Sequence, residues 1–148
     1  MNLLILRQRQ HREHKMDFIK REIMSHDLKI AGGKYPAIFN YRAIALAEDV
    51  SGVANGYTLA RLDEDYDKDG NLKRIGTGES SMLAKAGLQA REIIGLAYGM
   101  MKSAGVNVDV EDLEASISPS ELSEIIKQLK EIIKHQDIKA VVDDSKNK

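Results

Sequence analysis

Leu28-Lys29-Ile30-Ala31-Gly32-Gly33-Lys34-Tyr35-Pro36-Ala37-Ile38-Phe39-Asn40 is the stretch whose reading decides the fold. Leu28-Lys29-Ile30 alternates apolar and polar, Gly32-Gly33 offers a two-residue turn that tolerates positive φ, and Tyr35, Ala37 and Phe39 resume the alternation. That pattern predicts a β-hairpin over residues 28–39. Pro36 has no N–H to give a ladder, so it predicts an edge strand. Asn40 is an N-cap residue for a helix running to about Val50, with Gly52 as the stop.

Working outward, residues 53–80 are dense in Gly, Asp, Asn and Lys and poor in apolar periodicity, which predicts a long loop inserted in the domain. Ser81 to Ser103 is apolar around much of its circumference and predicts the central, most buried helix. Gly87, Gly95 and Gly99 within it weaken a helix, so their spacing implies close approach of a neighbouring element; Gly105 closes the segment. Asp109 can cap a short helix through Glu114, and Ser118-Pro119-Ser120-Glu121 is a capping box with Pro at the first helical position. The helix it opens carries Leu122, Ile125, Ile126, Leu129, Ile132 and Ile133 on one stripe, with Glu124, Lys127, Lys130, Glu131 and Lys134 facing away. Beyond His135 the pattern thins, and residues 137–148 read as a polar, mobile tail. Upstream, residues 1–26 form a leader, either helical or disordered, with Arg7, Arg9, Arg12, Lys15, Lys20 and Arg21 set against Glu13, Asp17 and Glu22. A translation start at Met16 or Met24 would make it dispensable. The expected architecture is therefore mainly α with a small N-terminal β-hairpin (α+β), a compact helical domain over residues 27–136.

Composition sets outer bounds. A chain of 148 residues with 22 Lys+Arg, 23 Asp+Glu and a formal net charge of −1 is one soluble domain with no global electrostatic reason to bind nucleic acid or an anionic membrane. The lack of Cys excludes a disulfide scaffold, a thiol nucleophile and thiolate metal sites. Leu3-Leu4-Ile5-Leu6 is too short for a signal-peptide core or a membrane span, so no export is expected.

Local patterns offer few chemical candidates. Asp65, Asp67, Asp69, Gly70 and Leu72 match positions of an EF-hand calcium loop, but Lys73 and Gly76 stand at the ninth and twelfth, so the bidentate carboxylate is missing. A solvated acidic turn is the plainer reading; Glu79 could complete the shell only in a longer loop. Gly76-Thr77-Gly78-Glu79-Ser80-Ser81 looks like a phosphate cradle with Glu79 where a P-loop has Lys, and an acid there repels phosphate; Ser80 or Ser81 capping the central helix is the better account. His11, His14, His26 and His135 show no metal-ligand spacing and read as scattered surface histidines. The pairs Glu111/Glu114 and Glu121/Glu124 sit where helix N-termini favour negative charge. No reacting group has a partner at usable spacing, so an enzyme is not expected.

Residues 28–35 leading into Phe39-Asn40-Tyr41-Arg42-Ala43-Ile44, then Ala47-Glu48-Asp49 and Gly52, give a hairpin running straight into a helix of the type F-N-[YF]-[RK]-A. Together with Ile93-Ile94-Gly95-Leu96-Ala97-Tyr98, the acidic Val108 to Leu113 and Ser118 to Ile133, this resembles the tail assembly chaperones of long-tailed phages and prophages of Gram-positive bacteria. The resemblance covers about residues 27–135 without 53–80; the Asp-rich loop and the basic leader depart from it. It implies a non-enzymatic protein without a cofactor that coats the tape measure protein before the tail tube polymerises. It also implies self-association, contact with the tail tube protein, residence in the cytoplasm of the bacterial host and absence from the mature virion. A tape measure protein exposes long apolar helical faces, which a small domain can cover by many weak contacts. The expected contact residues are Leu122, Ile125, Ile126, Leu129, Ile132 and Ile133, with Met100 and Met101 as adaptable neighbours. Against this stand the reading of the whole stripe as core, and two rival functions: a small calcium-binding module using Asp65 to Asp69, and a cytosolic adaptor.

Overall fold

The computed structural model describes residues 23–75, 82–83 and 87–146. The expectations placed on the leader up to residue 22, on the cradle at 76–81 and on His11 and His14 lie outside the described residues. Within them the protein is mainly helical with an N-terminal antiparallel hairpin, as expected.

The hairpin consists of β1 (His26–Ile30) and β2 (Gly33–Ala37), with His26 opposite Ala37 and Ile30 opposite Gly33. Its turn lies one residue earlier than the sequence suggested. Ala31 (φ 53°) and Gly32 (φ 77°) are the two central residues, both left-handed, which is the type I′ geometry that matches strand twist. Gly33 instead opens β2, where a Cβ would lie 2.7 Å from the Tyr35 hydroxyl. Counting back from the turn, Pro36 occupies a non-hydrogen-bonded pair with Asp27, so its missing N–H costs no ladder bond.

Asn40 caps α1 (Tyr41–Ser51): its side-chain oxygen accepts from the Ala43 N–H at 2.9 Å, and Gly52 (φ 70°) ends the helix by donating to the Glu48 carbonyl. Residues 53–80 are not the continuous loop their composition predicts, because Asn55–Asp65 forms a second helix, α2. Its inward positions are Asn55, Thr58 and Leu62, a stripe that is helical in spacing but two-thirds polar, which hides it from a reading of hydrophobic period. Short strands β3 (Arg74–Ile75) and β4 (Met82–Leu83) pair antiparallel, so Met82 and Leu83 are not the start of the central helix.

That helix, α3, covers Ala90–Ser103 rather than Ser81–Ser103. Glu92 reaches back to accept from the Gln89 N–H at 2.8 Å, which fixes the start; just before it, the Leu88 N–H donates to the Tyr66 hydroxyl at 2.8 Å. Gly87 lies in this lead-in and not in the helix. Helix α4 spans Val110–Ser116 with Asp109 at its N-cap, where the carbonyl, not the carboxylate, accepts from the Leu113 N–H. Ser118 donates its N–H to the Glu121 carboxylate at 2.7 Å, and a 3₁₀ turn over Pro119–Glu121 leads into α5 (Leu122–Lys146). The helix continues beyond His135, where a tail was expected, because no Gly or Pro interrupts residues 122–146.

The core lies where α1 crosses α3. Gly95 and Gly99 of α3 face Ala47 and Ala43 of α1, so the two backbones meet with nothing between them. Onto this pair pack Leu28, Ile30 and Ala37 from the hairpin and Ile125, Ile126, Leu129 and Ile132 from α5. The Ile38 N–H donates to the Met100 carbonyl at 2.9 Å, pinning the hairpin's exit to the end of α3. The outer edge of β1 is closed by one side chain: Gln128 of α5 accepts from the Lys29 N–H at 2.7 Å and donates to the Lys29 carbonyl at 2.9 Å. An amide placed this way completes a strand ladder and blocks the edge from further pairing.

A Cβ on Gly99 would sit 2.3 Å from the Ala43 carbonyl oxygen, whereas one on Gly95 would be 3.2 Å from that of Ala47. Gly99→Ala should therefore lose about 1–3 kcal/mol of stability in urea unfolding despite alanine's better helix propensity, and Gly95→Ala should lose less. Equal effects would show that the helices are not held at this separation.

Candidate functional site

Six of the eight residues expected to contact a partner are built into the core. Ile125, Ile126, Leu129, Ile132, Met100 and Met101 are each at most 4% exposed. Leu122 and Ile133 alone keep part of their surface. The buried part of the α5 stripe, Ile125, Ile126, Leu129 and Ile132, meets its partner surface inside the molecule, where α5 packs on α3 and β1.

The Asp-rich segment forms a tight turn closed by a bridge between Tyr66 and Leu72. Asp67 is committed to it: its carboxylate accepts from the N–H groups of Asp69 (2.9 Å) and Asn71 (3.0 Å). Asp65 ends α2 and receives the Lys73 N–H on its carbonyl, and Asp69 is exposed. Gly70 (φ 81°) is explained by packing, since a Cβ there would lie 1.9 Å from the Ser123 carbonyl oxygen of α5. Among the described residues no three His, Asp or Glu side chains gather where they could hold a metal ion. The turn's sequence is accounted for by its docking against α5.

Two features went unseen in the sequence. The first is a buried polar junction between α2 and α3. Glu92 is 1% exposed, accepts from the Thr58 hydroxyl at 2.9 Å and pairs with the Arg61 guanidinium. Glu48 of α1 accepts the Asn55 N–H at 2.9 Å and so supplies the start of α2 with the cap its own Ala54 lacks. Nothing in spacing alone pairs Glu92 with residues 34 and 31 positions away.

The second is a groove of about 750 Å³ between α2 and α5. Its floor is Phe39, Leu59, Leu62 and Ile133, and its rim carries Lys68, Lys73, Lys130 and Lys134 together with Asp63, Asp67 and Glu131. Helices α2 and α5 touch each other only sparsely, and among the described residues no element covers the apolar floor. Lys130 is the most enclosed of the cations. Its ammonium donates to the Tyr66 carbonyl, and burial, then the neighbouring charge of Lys73, hold its pKa below the usual lysine range. The Lys73 ammonium donates to the Asp63 carbonyl at 3.3 Å. Among the described residues none of these four lysines lies within ion-pair distance of a carboxylate. Lys130 and Lys134 are one helical turn apart, but the other two arrive from the turn after α2, which no helical pattern announces.

The histidines are not all scattered. His26 at the start of β1 and His135 on α5 meet edge to face with ring centroids 5.2 Å apart, beside Asp27 and Glu131. The Nε2 of His26 is buried without a hydrogen-bond partner. Burial, and then His135, hold the His26 pKa below the ordinary imidazole value.

No known family matches the chain, and no curated protein and no solved structure does so either. Among the described residues no helix is long and apolar enough to cross a membrane.

Two outcomes follow from these groups. Glu92→Ala leaves the Thr58 hydroxyl, the Gln89 N–H and Arg61 without their acceptor and should cost about 3 kcal/mol in urea unfolding. A loss under about 0.5 kcal/mol would mean the junction does not hold α2 in place. For His26, a base whose pKa is lower in the folded state, the unfolded chain takes up a proton first as pH falls below about 6.5. Stability should thus decline between pH 7.5 and 5.5, and His26→Gln should flatten that decline. An unchanged slope in the variant would remove His26 as its source.

Proposed function

We propose that the protein is a non-enzymatic assembly chaperone that shields an amphipathic helical segment of its partner, and that this partner is a phage tape measure protein in the cytoplasm of the bacterial host. The observation that carries the reading is the groove between α2 and α5, an apolar floor walled by two helices and left open among the described residues. A groove of this kind suits an amphipathic helix laid lengthwise, with anchors at helical spacing. The resemblance of residues 27–135, without 53–80, to tail assembly chaperones supplies the identity of the partner and extends the proposal to self-association and to contact with the tail tube protein; the α2 wall of the groove belongs to the segment outside that resemblance. Of the α5 stripe only Ile133 belongs to this contact surface, at the groove floor, because Ile125, Ile126, Leu129 and Ile132 are core. One groove per small domain means modest affinity per copy, so coverage of a long partner rests on many copies binding side by side.

The test is co-expression with the tape measure protein of the same genome, followed by pull-down and light scattering. A soluble complex with several copies per partner is expected, weakened by Leu59→Asp, which charges the groove floor at a half-buried position outside the core cluster. Should the tape measure protein aggregate identically with and without this chain, the chaperone reading fails.

A further inference from the structure

We infer that the groove between α2 and α5 selects helices whose apolar stripe is flanked by carboxylates, with Lys130 as the anchor for the anionic group. The inference rests on the groove being the partner site and adds the partner's chemistry. Four ammonium groups stand on the rim. Of the acids beside them, Asp67 already has its carboxylate engaged by two backbone N–H groups of its own turn. Lys130 is partly buried and, among the described residues, donates to a neutral carbonyl and pairs with no carboxylate; burial and then the Lys73 charge outweigh the support that Asp63 and Asp67 give its own charge. An apolar helix seated on Leu59, Leu62 and Ile133 would remove more water from that ammonium and leave its charge less compensated. A helix bearing Glu or Asp beside its apolar stripe would replace the lost water with a charge-assisted hydrogen bond and relieve the repulsion between Lys130 and Lys73. A helix flanked by Lys would meet the reverse. Asp63 and Glu131 stand on opposite walls, and among the described residues neither is within ion-pair distance of a rim lysine. The groove therefore admits apolar stripes in general but discriminates on the charge beside them.

The test uses two fluorescein-labelled helical peptides of about 18 residues with the same Leu stripe, one flanked by Glu and one by Lys, titrated with the full chain in an anisotropy assay. The Glu peptide should bind at least about tenfold tighter at low salt, and the preference should shrink as added salt screens the rim. Lys130→Gln with Lys134→Gln should reduce the preference below about threefold by weakening the Glu peptide, while the same chain keeps its affinity for an uncharged peptide with the same Leu stripe, which shows that the groove is still formed. The single variant Lys68→Gln, on the turn, should reduce it less. Equal binding of the two peptides, tighter binding of the Lys peptide, binding of neither, or a preference indifferent to the Lys130 and Lys134 substitutions each overturns the inference. If the double variant and the unaltered chain then keep the tape measure protein soluble equally well, the chaperone reading stands while charge selection falls.

Discussion

The close approach of α1 and α3 is the constraint on which everything else is built. Gly99 leaves the Ala43 carbonyl no room for even one methyl group, and Gly95 nearly repeats the arrangement one turn away against Ala47. Small residues at this spacing let two helices pack backbone to backbone, where each added carbon would push the axes apart. With that separation set, the remaining faces of α3 are free for large side chains: Leu96, Met100 and Met101 are fully enclosed where α3 packs against the hairpin, α4 and α5. The glycines that weaken α3 as an isolated helix are thus what make it the centre of the molecule.

How far the sequence could be read follows from the same contrast between local and distant interactions. Asn40, Gly52, Gly105 and the Ser118 capping box act within four residues of themselves, and each stands where its local chemistry put it. The hairpin was legible for the same reason, although the turn fell on Ala31 and Gly32, because a glycine pair does not say which of its members is central. Helix α2 was not legible. Its inward face is Asn55 and Thr58 as well as Leu62, and its start is capped by Glu48 from another helix. Polar groups can line a core only when partners are waiting for them, and those partners are distant in sequence. The early start assigned to α3 failed because the pull of Gln89 and Glu92, together with the Tyr66 hydroxyl at Leu88, outweighed a run of apolar residues.

The apolar stripe of α5 illustrates the limit of reading function from periodicity. A stripe at helical spacing says that a helix will bury one face, and not against what. Here the face is used internally, and the edge of the hairpin is closed by Gln128 from the same helix. Helix α5 therefore serves as the lid of the core along one side, while its shoulder, at Lys130, Glu131, Ile133 and Lys134, forms a wall of the groove. The candidate site had no signature because its parts come from Phe39, the outer side of α2, the turn after it and that shoulder.

The Asp-rich turn then takes on a structural meaning that its resemblance to an ion-binding loop concealed. Gly70 presses against the Ser123 carbonyl at the start of α5, and Asp67 holds the turn in shape through backbone N–H groups. The turn fastens the far end of α2 to α5, and in doing so sets the width of the groove between them. Tyr66 contributes at both ends of this fastening: its hydroxyl accepts from Leu88 ahead of α3, and its carbonyl accepts from the Lys130 ammonium on α5. Carboxylates that could have gathered around a cation are instead divided between turn geometry and the groove rim. The turn that fastens α2 to α5 is thus also the one that brings Lys68 and Lys73 to the groove rim, so one local structure contributes both to the shape of the groove and to its charge.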